Sequence, residues 1–232
     1  QMAFIKKILP AFLIFTIACV FTSAQEKKQD VLEKTTVIVK LPAPEIKGKL
    51  SVEEALAKRR SVRQYKNNPL SITELGQILW AGQGITSNWG GRTAPSAGAT
   101  YPLEIYVVVG NVALLEPAIY HYDVFAHGLK KVSSSRDVRE KLASAALGQQ
   151  SIKQAPATIV IAADFSRTER RYGQRAQQYV FIEVGHVAEN IYLQAESLGL
   201  GTVAIGAFND TMVREILEIP QDVVYLMPVG KK

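Results

Sequence analysis

Three guanidinium groups and a hydroxyl fall within five residues at Arg59-Arg60-Ser61-Val62-Arg63. Arginine offers paired, planar donors that match a phosphate, and a serine hydroxyl adds a shorter hydrogen bond. Burying such a set of like charges without an anion would be costly. Taken alone, the same residues read more simply as a solvated basic helix end, which complements the helix dipole. A second segment, Thr93-Ala-Pro-Ser-Ala-Gly-Ala-Thr-Tyr-Pro102, is rich in small residues and enters a β-branched run. Backbone amides free of bulky side chains suit close approach to a flat ligand, although a plain Gly/Ser loop has the same composition. A third, Gly199-Leu-Gly-Thr-Val-Ala-Ile-Gly-Ala207, is glycine-rich but precedes a strand. A Rossmann phosphate loop follows a strand and opens a helix, so this is no dinucleotide fingerprint.

Other chemistries find little support. Cys19 is the only cysteine and sits in an N-terminal apolar run. Cleavage after Ala24 would leave no disulfide, thiolate metal site or cysteine nucleophile. The sequence holds no Gly-x-Ser-x-Gly elbow for a serine nucleophile. Glu183-x-x-His186 is half of a di-iron pattern, and without a second copy it reads as a hydrogen-bonded pair on a packed helix. His121 and His127 bracket a hairpin without metal-ligand spacing.

The elements that must position these segments are legible in outline. Ser51-Val-Glu-Glu54 and Ser71-Ile-Thr-Glu74 are capping boxes, in which the serine caps the first amides and the glutamate reaches back to the serine N–H. They predict one helix ending near Arg60 and another through Leu75, Ile78 and Trp80. Gly82 to Gly98 must be loop, and Leu103 to Val109 and Ala157 to Ala163 are buried strands. Ile119 to Asp123 and Leu129 to Val132 flank a hairpin turn at Gly128. A helix follows around Val138 to Ala146. The longest helical period runs from about Gln174 to Leu198 through Val180, Val184, Val187 and Ile191, with Gly199 as its stop. Thr202 to Ile205 is a strand, Asn209 caps a helix to Leu217, and Val223 to Val229 is a last strand. Strands and helices mix without repeats or a βαβ rhythm, so the class is α+β in a single domain.

Together, and in this order, the segments resemble the nitroreductase family of FMN-dependent oxidoreductases, over about Leu50 to Lys232. The markers are Arg-Arg-Ser-Val-Arg-Gln-Tyr (59–65), Pro-Ser-Ala-Gly-Ala-Thr-Tyr-Pro (95–102), Ala-Ile-Tyr-His-Tyr (118–122), Glu-Val-Gly-His-Val-Ala-Glu-Asn (183–190), Gly-Leu-Gly-Thr (199–202) and Met-Pro-Val-Gly (227–230). Within the family the chain is most similar to the branch that includes azoline oxidases of thiazole/oxazole peptide biosynthesis. The resemblance implies a central mixed or antiparallel sheet flanked by helices, one of them a long core helix. It implies a homodimer with an FMN site at each subunit interface. Arg59, Arg60, Ser61 and Arg63 would hold the phosphate and ribityl chain, helped by Lys231. Pro95, Ser96 and Ala97 would approach the isoalloxazine from the partner subunit, and Gly206 and Ala207 would line its opposite edge. The family's usual reductant is NAD(P)H. Ala99 and Tyr101 stand where many members carry amide side chains. The sequence ends at Lys232 without the arm that often wraps the partner, a role that Lys34 to Lys49 could take.

The resemblance also implies the reaction, a hydride passed between flavin N5 and a small organic acceptor (nitro, quinone or similar) or an azoline-type donor. Tyr101, Tyr172 and Arg175 are candidates to bind substrate or supply a proton, and no residue is assigned as catalytic acid or base. The alternative is a non-catalytic flavin-binding protein of the cell envelope.

Composition sets the remaining bounds. The 232 residues are 47% hydrophobic and 21% charged, as in ordinary globular proteins. The formal charge is +6 and falls to +4 without Lys6 and Lys7. No basic stripe interleaved with aromatics suggests a nucleic-acid partner. Met2 reads as the natural start, followed by Lys6-Lys7, the apolar run Ile8 to Phe21 and small residues to Ala24. That is the pattern of a secretory signal peptide over residues 1–24, which predicts export to the periplasm or beyond. Residues 25–49 read as a linker or arm, and the FMN-binding domain is expected over 50–232. Membrane contact would come only through an uncleaved leader or one lipidated at Cys19.

Overall fold

Seven strands form one sheet in the computed structural model, which describes residues 38–133 and 137–232. In chain order the elements are β1 (Ile38–Lys40), α1 (Val52–Lys58), α2 (Ile72–Gln83), β2 (Leu103–Val109), β3 (Ala118–Asp123), β4 (Gly128–Lys131), α3 (Arg139–Ala145), α4 (Gln150–Gln154), β5 (Ala157–Ala163), α5 (Phe165–Tyr172), α6 (Ala176–Ser197), β6 (Leu200–Thr202), α7 (Asp210–Leu217) and β7 (Asp222–Lys231). The sheet order is β1-β4-β3-β2-β5-β7-β6, and every neighbouring pair is antiparallel. The class is α+β, as the sequence suggests. The signal peptide expected over 1–24 lies outside the described residues, and among those described no helix is long and apolar enough to cross a membrane.

The central strands read as continuous apolar runs because both faces of the sheet are covered. On β2, Ile105, Val107 and Val109 join the core beneath α2 and α6, while Tyr106 and Val108 join the core beneath α3 and α7. Strand β5 divides likewise, with Ile159 and Ile161 on one side and Val160 and Ala162 on the other. Such strands lose the hydrophobic-polar alternation that an antiparallel sheet usually shows.

Both capping boxes form. Ser51 and Ser71 each accept the amide of the residue three ahead, and the Glu54 and Glu74 carboxylates accept the serine amides. The arm read over residues 25–49 packs on the domain at its described end: β1 pairs with β4, Leu41 is buried, and the Gln77 amide bonds both the N–H and the carbonyl of Glu45. Two local expectations are corrected. Gly128 lies inside β4, and the left-handed turn residue is His127. A Cβ at Gly128 would come within 2.5 Å of Ile38 Cγ2, so its lack of a side chain is what admits β1. The strand expected at Thr202 to Ile205 occupies Leu200–Thr202, and Ile205 makes only an isolated bridge to Leu226.

Candidate functional site

Chain exit from α1 decides where the arginines go. Arg59 caps the helix in a non-helical conformation, and the following segment lies along the sheet edge made by β6 and β7. Val62 N–H donates to the Thr202 carbonyl (2.8 Å) and Lys66 N–H to that of Lys231 (2.9 Å). Two glycines make this close approach fit. A Cβ at Gly201 would meet Val62 at 2.6 Å, and one at Gly230 would meet the Tyr65 ring at 2.8 Å. The Tyr65 hydroxyl donates to the carbonyls of Val62 and Pro228 (2.8 and 3.0 Å), and burial pushes its pKa well up. Pinned at both ends, the segment presents Arg60, Ser61 and Arg63 to solvent.

Helix α6 meets this segment through Tyr192. Its hydroxyl lies 3.1 Å from Ser61 Oγ and accepts the Ala204 N–H (2.8 Å), while the Arg59 guanidinium sits 5.2 Å above its ring. The Arg59 Nε is also 3.9 Å from Glu189. Ala204 is two residues before Gly206, so one hydroxyl joins the arginine segment to the strand end that exposes Gly206 and Ala207. Beside Gly206 opens a cavity of about 430 Å3, with Phe165, Phe181 and Phe208 among its lining.

Two expected phosphate ligands have other partners. Arg60 Nη1 donates to the carbonyls of Ala57 and Arg59 at the end of α1, which fits the plain helix-end reading. Lys231 Nζ pairs with Glu74. The donors left for an anion are therefore Ser61 and Arg63, with the half-buried Arg59 beside them on the Tyr192 ring.

The Pro95 to Ala97 segment sits at the other end of α6. The Tyr101 N–H donates to Ser96 Oγ (2.9 Å), and Arg92, over the Tyr101 ring, donates to Gln83 Oε1 (2.8 Å). Gln83 Nε2 lies 3.5 Å from Glu183 Oε1, nine residues before Tyr192 and roughly 13 Å from it along a helix. The loop around Ser96 is strained and clamped. Gly98, Ala99 and Tyr101 all have positive φ (59°, 53° and 44°). Arg171 Nη1 donates to the Gly98 carbonyl (3.0 Å), Arg167 Nη1 to that of Tyr101 (3.0 Å), and the hydroxyls of Thr100 and Thr168 are 2.9 Å apart. Such backbone strain persists only where surrounding structure fixes it. Tyr192 thus joins Ser61 and Arg59 to Ala204, two residues before Gly206, while Pro95, Ser96 and Ala97 lie toward the other end of α6.

The expected Glu183–His186 pair does not form, because the carboxyl turns into the protein, 2% exposed, while His186 faces solvent. No group of three or more metal ligands occurs among the described residues. The other candidates are partly engaged: Tyr101 lies under Arg92 (4.3 Å), Tyr172 meets Tyr179 edge-on (4.9 Å), and Arg175 reaches Gln178 (3.5 Å). Tyr192 has no signal in the sequence beyond helical period, and the Glu183-x-x-His186 spacing points to a partner that Glu183 does not take. A larger cavity of about 740 Å3, beneath residues 45–52 and between α2 and α6, contains none of the expected site residues. The smaller cavity is the one beside the chemistry.

Comparison with known proteins agrees with this architecture. The Nitroreductase family model matches residues 56–231. A Methanocaldococcus jannaschii protein provisionally named a nitroreductase is 49% identical over 85% of this chain and 98% of its own length. FMN reductase (NAD(P)H) of Bacillus subtilis is 26% identical over 77% of this chain and 63% of its own. A solved structure from Ralstonia eutropha, also provisionally named a nitroreductase, superposes with a TM-score of 0.73 at 27% identity, covering 85% of this chain and 90% of that one. The protein is an oxidoreductase by class. It belongs to the nitroreductase family.

Proposed function

We propose that the chain is an FMN-dependent oxidoreductase acting as a homodimer, with each flavin site built from two subunits. The observation that carries this reading is the junction at Tyr192. There a hydroxyl ties Ser61, between Arg59 and Arg63, to the strand end bearing Gly206. The donor set fits a phosphomonoester, since it offers two guanidiniums and a hydroxyl, with one carboxylate, Glu189, 3.9 Å from the Arg59 Nε. Gly206 and Ala207 are exposed, so their backbone is open to a flat ring.

When bound, FMN supplies two-electron redox chemistry at its ring system, and the protein supplies binding and orientation. Arg59 and Arg63 neutralise the phosphate and Ser61 donates to it. The amides of Gly206 and Ala207 line one edge of the ring, and the aromatic cavity beside them receives a planar organic acceptor. Pro95, Ser96 and Ala97 come from the second subunit, which accounts for their distance from the arginines within one chain. Helix α6 supports the dimer by exposing Phe181, Ile182, Gly185 and His186 on one side, an apolar face unusual for a helix otherwise packed in a core. NAD(P)H is the reductant expected from the family, and a quinone-type donor would suit the export that the leader predicts.

The test is a visible spectrum of the purified protein, then reduction by dithionite, NADH or NADPH and reoxidation by air or a quinone. Flavin bands that bleach and return, with FMN as the released cofactor, support the proposal. A colourless protein that takes up no added FMN refutes it. Tight FMN that reduces but passes nothing to any acceptor points to a flavin-binding envelope protein.

A further inference from the structure

The buried end of α6 carries a carboxyl that the reading above leaves without a task. Glu183 is 2% exposed, and among the described residues no cationic nitrogen lies within 4 Å of it. A buried carboxyl without a direct counter-ion is expensive to keep. Its neighbours form a polar circuit between the loop and α6. Ser96 Oγ accepts the Tyr101 N–H (2.9 Å). The Tyr101 ring lies under the Arg92 guanidinium at 4.3 Å, and Arg92 Nη1 donates to Gln83 Oε1 (2.8 Å). Gln83, fully buried, returns to Glu183 through a long contact of 3.5 Å between its Nε2 and Glu183 Oε1.

Every member of the circuit either belongs to the Arg92–Tyr101 loop or grips it from α2 or α6. The loop's left-handed residues, Ala99 and Tyr101, are ones that an unconstrained chain would relax. We propose that Glu183 is a positioning residue: it holds the Gln83 amide so that its oxygen meets Arg92, and through Arg92 and Tyr101 behind it fixes the Pro95–Ala97 turn in the shape that meets the flavin. The purpose of that turn rests on the flavin reading, but the positioning itself can be observed without flavin. Burial also pushes the Glu183 carboxyl pKa up, partly opposed by the nearby Ser96 hydroxyl, the Gln83 amide and the charge of Arg92. That shift is consistent with a group kept for its hydrogen bonds rather than for an ion pair.

The variants Glu183→Gln and Glu183→Leu separate the roles, because glutamine keeps an acceptor for the Gln83 amide and leucine fills the space without one. Amide hydrogen exchange is measured across residues 92–101 in flavin-free full-length protein, followed by titration with FMN. The expected result is exchange at least about tenfold faster in Glu183→Leu, confined to this loop, with near-normal rates in Glu183→Gln, as loss of buried hydrogen bonds predicts. FMN should bind at least about tenfold more weakly to the leucine variant and nearly normally to the glutamine one. Exchange at wild-type rates in Glu183→Leu overturns the proposal whether or not FMN binds. Faster exchange spread over the whole sheet also overturns it, since the residue would then be part of the general core. If wild-type protein takes up no FMN, the flavin reading falls, and the exchange comparison still decides the positioning role.

Discussion

The Tyr192 hydroxyl lies 3.1 Å from Ser61 Oγ while accepting the Ala204 N–H, so a single side chain of α6 sets the spacing between the arginine segment and the strand that leads to Gly206. Replacement by phenylalanine keeps the ring under Arg59 and removes both hydrogen bonds. At about 1 kcal/mol for each bond, FMN affinity in Tyr192→Phe should fall between fivefold and about thirtyfold. Titration followed by flavin fluorescence quenching measures this, and unchanged affinity would mean that Ser61 is held by its backbone alone.

Gly201 predicts a loss of binding without a loss of fold. A Cβ there comes within 2.6 Å of Val62 Cγ1 and 2.7 Å of Val62 Cβ, so Gly201→Ala must push the arginine segment off the sheet edge. Overpacking of this kind typically costs about 1–3 kcal/mol. Because the displaced segment carries Ser61 and Arg63, FMN affinity should drop further than the melting temperature implies. Matched losses in the two measurements would place the strain elsewhere.

Glu104 gives the protein an acid-sensitive staple. Burial alone would raise its carboxyl, yet hydrogen bonds from His121 (2.7 Å) and Arg167 (2.5 Å) outweigh that and hold it below the ordinary carboxylate range. A carboxyl depressed in the folded state contributes stability above its unfolded value, near 4.3, and loses it as pH falls through the folded value. Glu104→Gln should therefore be less stable than wild type at neutral pH, with the difference narrowing as pH drops below about 4. Denaturant unfolding across the acid range checks this, and a gap that stays constant with pH would rule the ion pair out as its cause.

The exposed face of α6 makes the proposed dimer testable. Ile182 is 48% exposed and Phe181 47% exposed in the single chain, so Ile182→Glu should leave the protomer folded. If two copies meet there, sedimentation will show a monomer where wild type is a dimer, and FMN binding will fall with it. A variant that stays dimeric and keeps its flavin would move the interface to another face.

Much of this protein was legible in local sequence. Ser51 and Ser71 announced two helix starts through capping chemistry that needs only four residues, and both formed as expected. Strands β2 and β5 matched their predicted limits because their apolar runs are short and bounded. The ordered motifs were enough to place the chain in its family. Helix α5 went unannounced, since half of Phe165–Tyr172 is charged and its arginines are used to hold the Gly98 and Tyr101 carbonyls across the fold.

Local chemistry is short-ranged, so the sequence by itself determined the capped helices, the buried strands and a cluster of anion-binding side chains. It left unsettled which of the basic groups are free for an anion, because Arg60 folds back on the Ala57 carbonyl and Lys231 is taken by Glu74, a contact that exists only once the chain has closed on itself. Tertiary structure alone decided that Tyr192 joins Ser61 to Ala204, two residues before Gly206, and that Glu183 turns inward to Gln83 while His186 turns out. In both cases the reason is the direction in which one long helix presents each residue, set by packing against partners as many as 131 positions away.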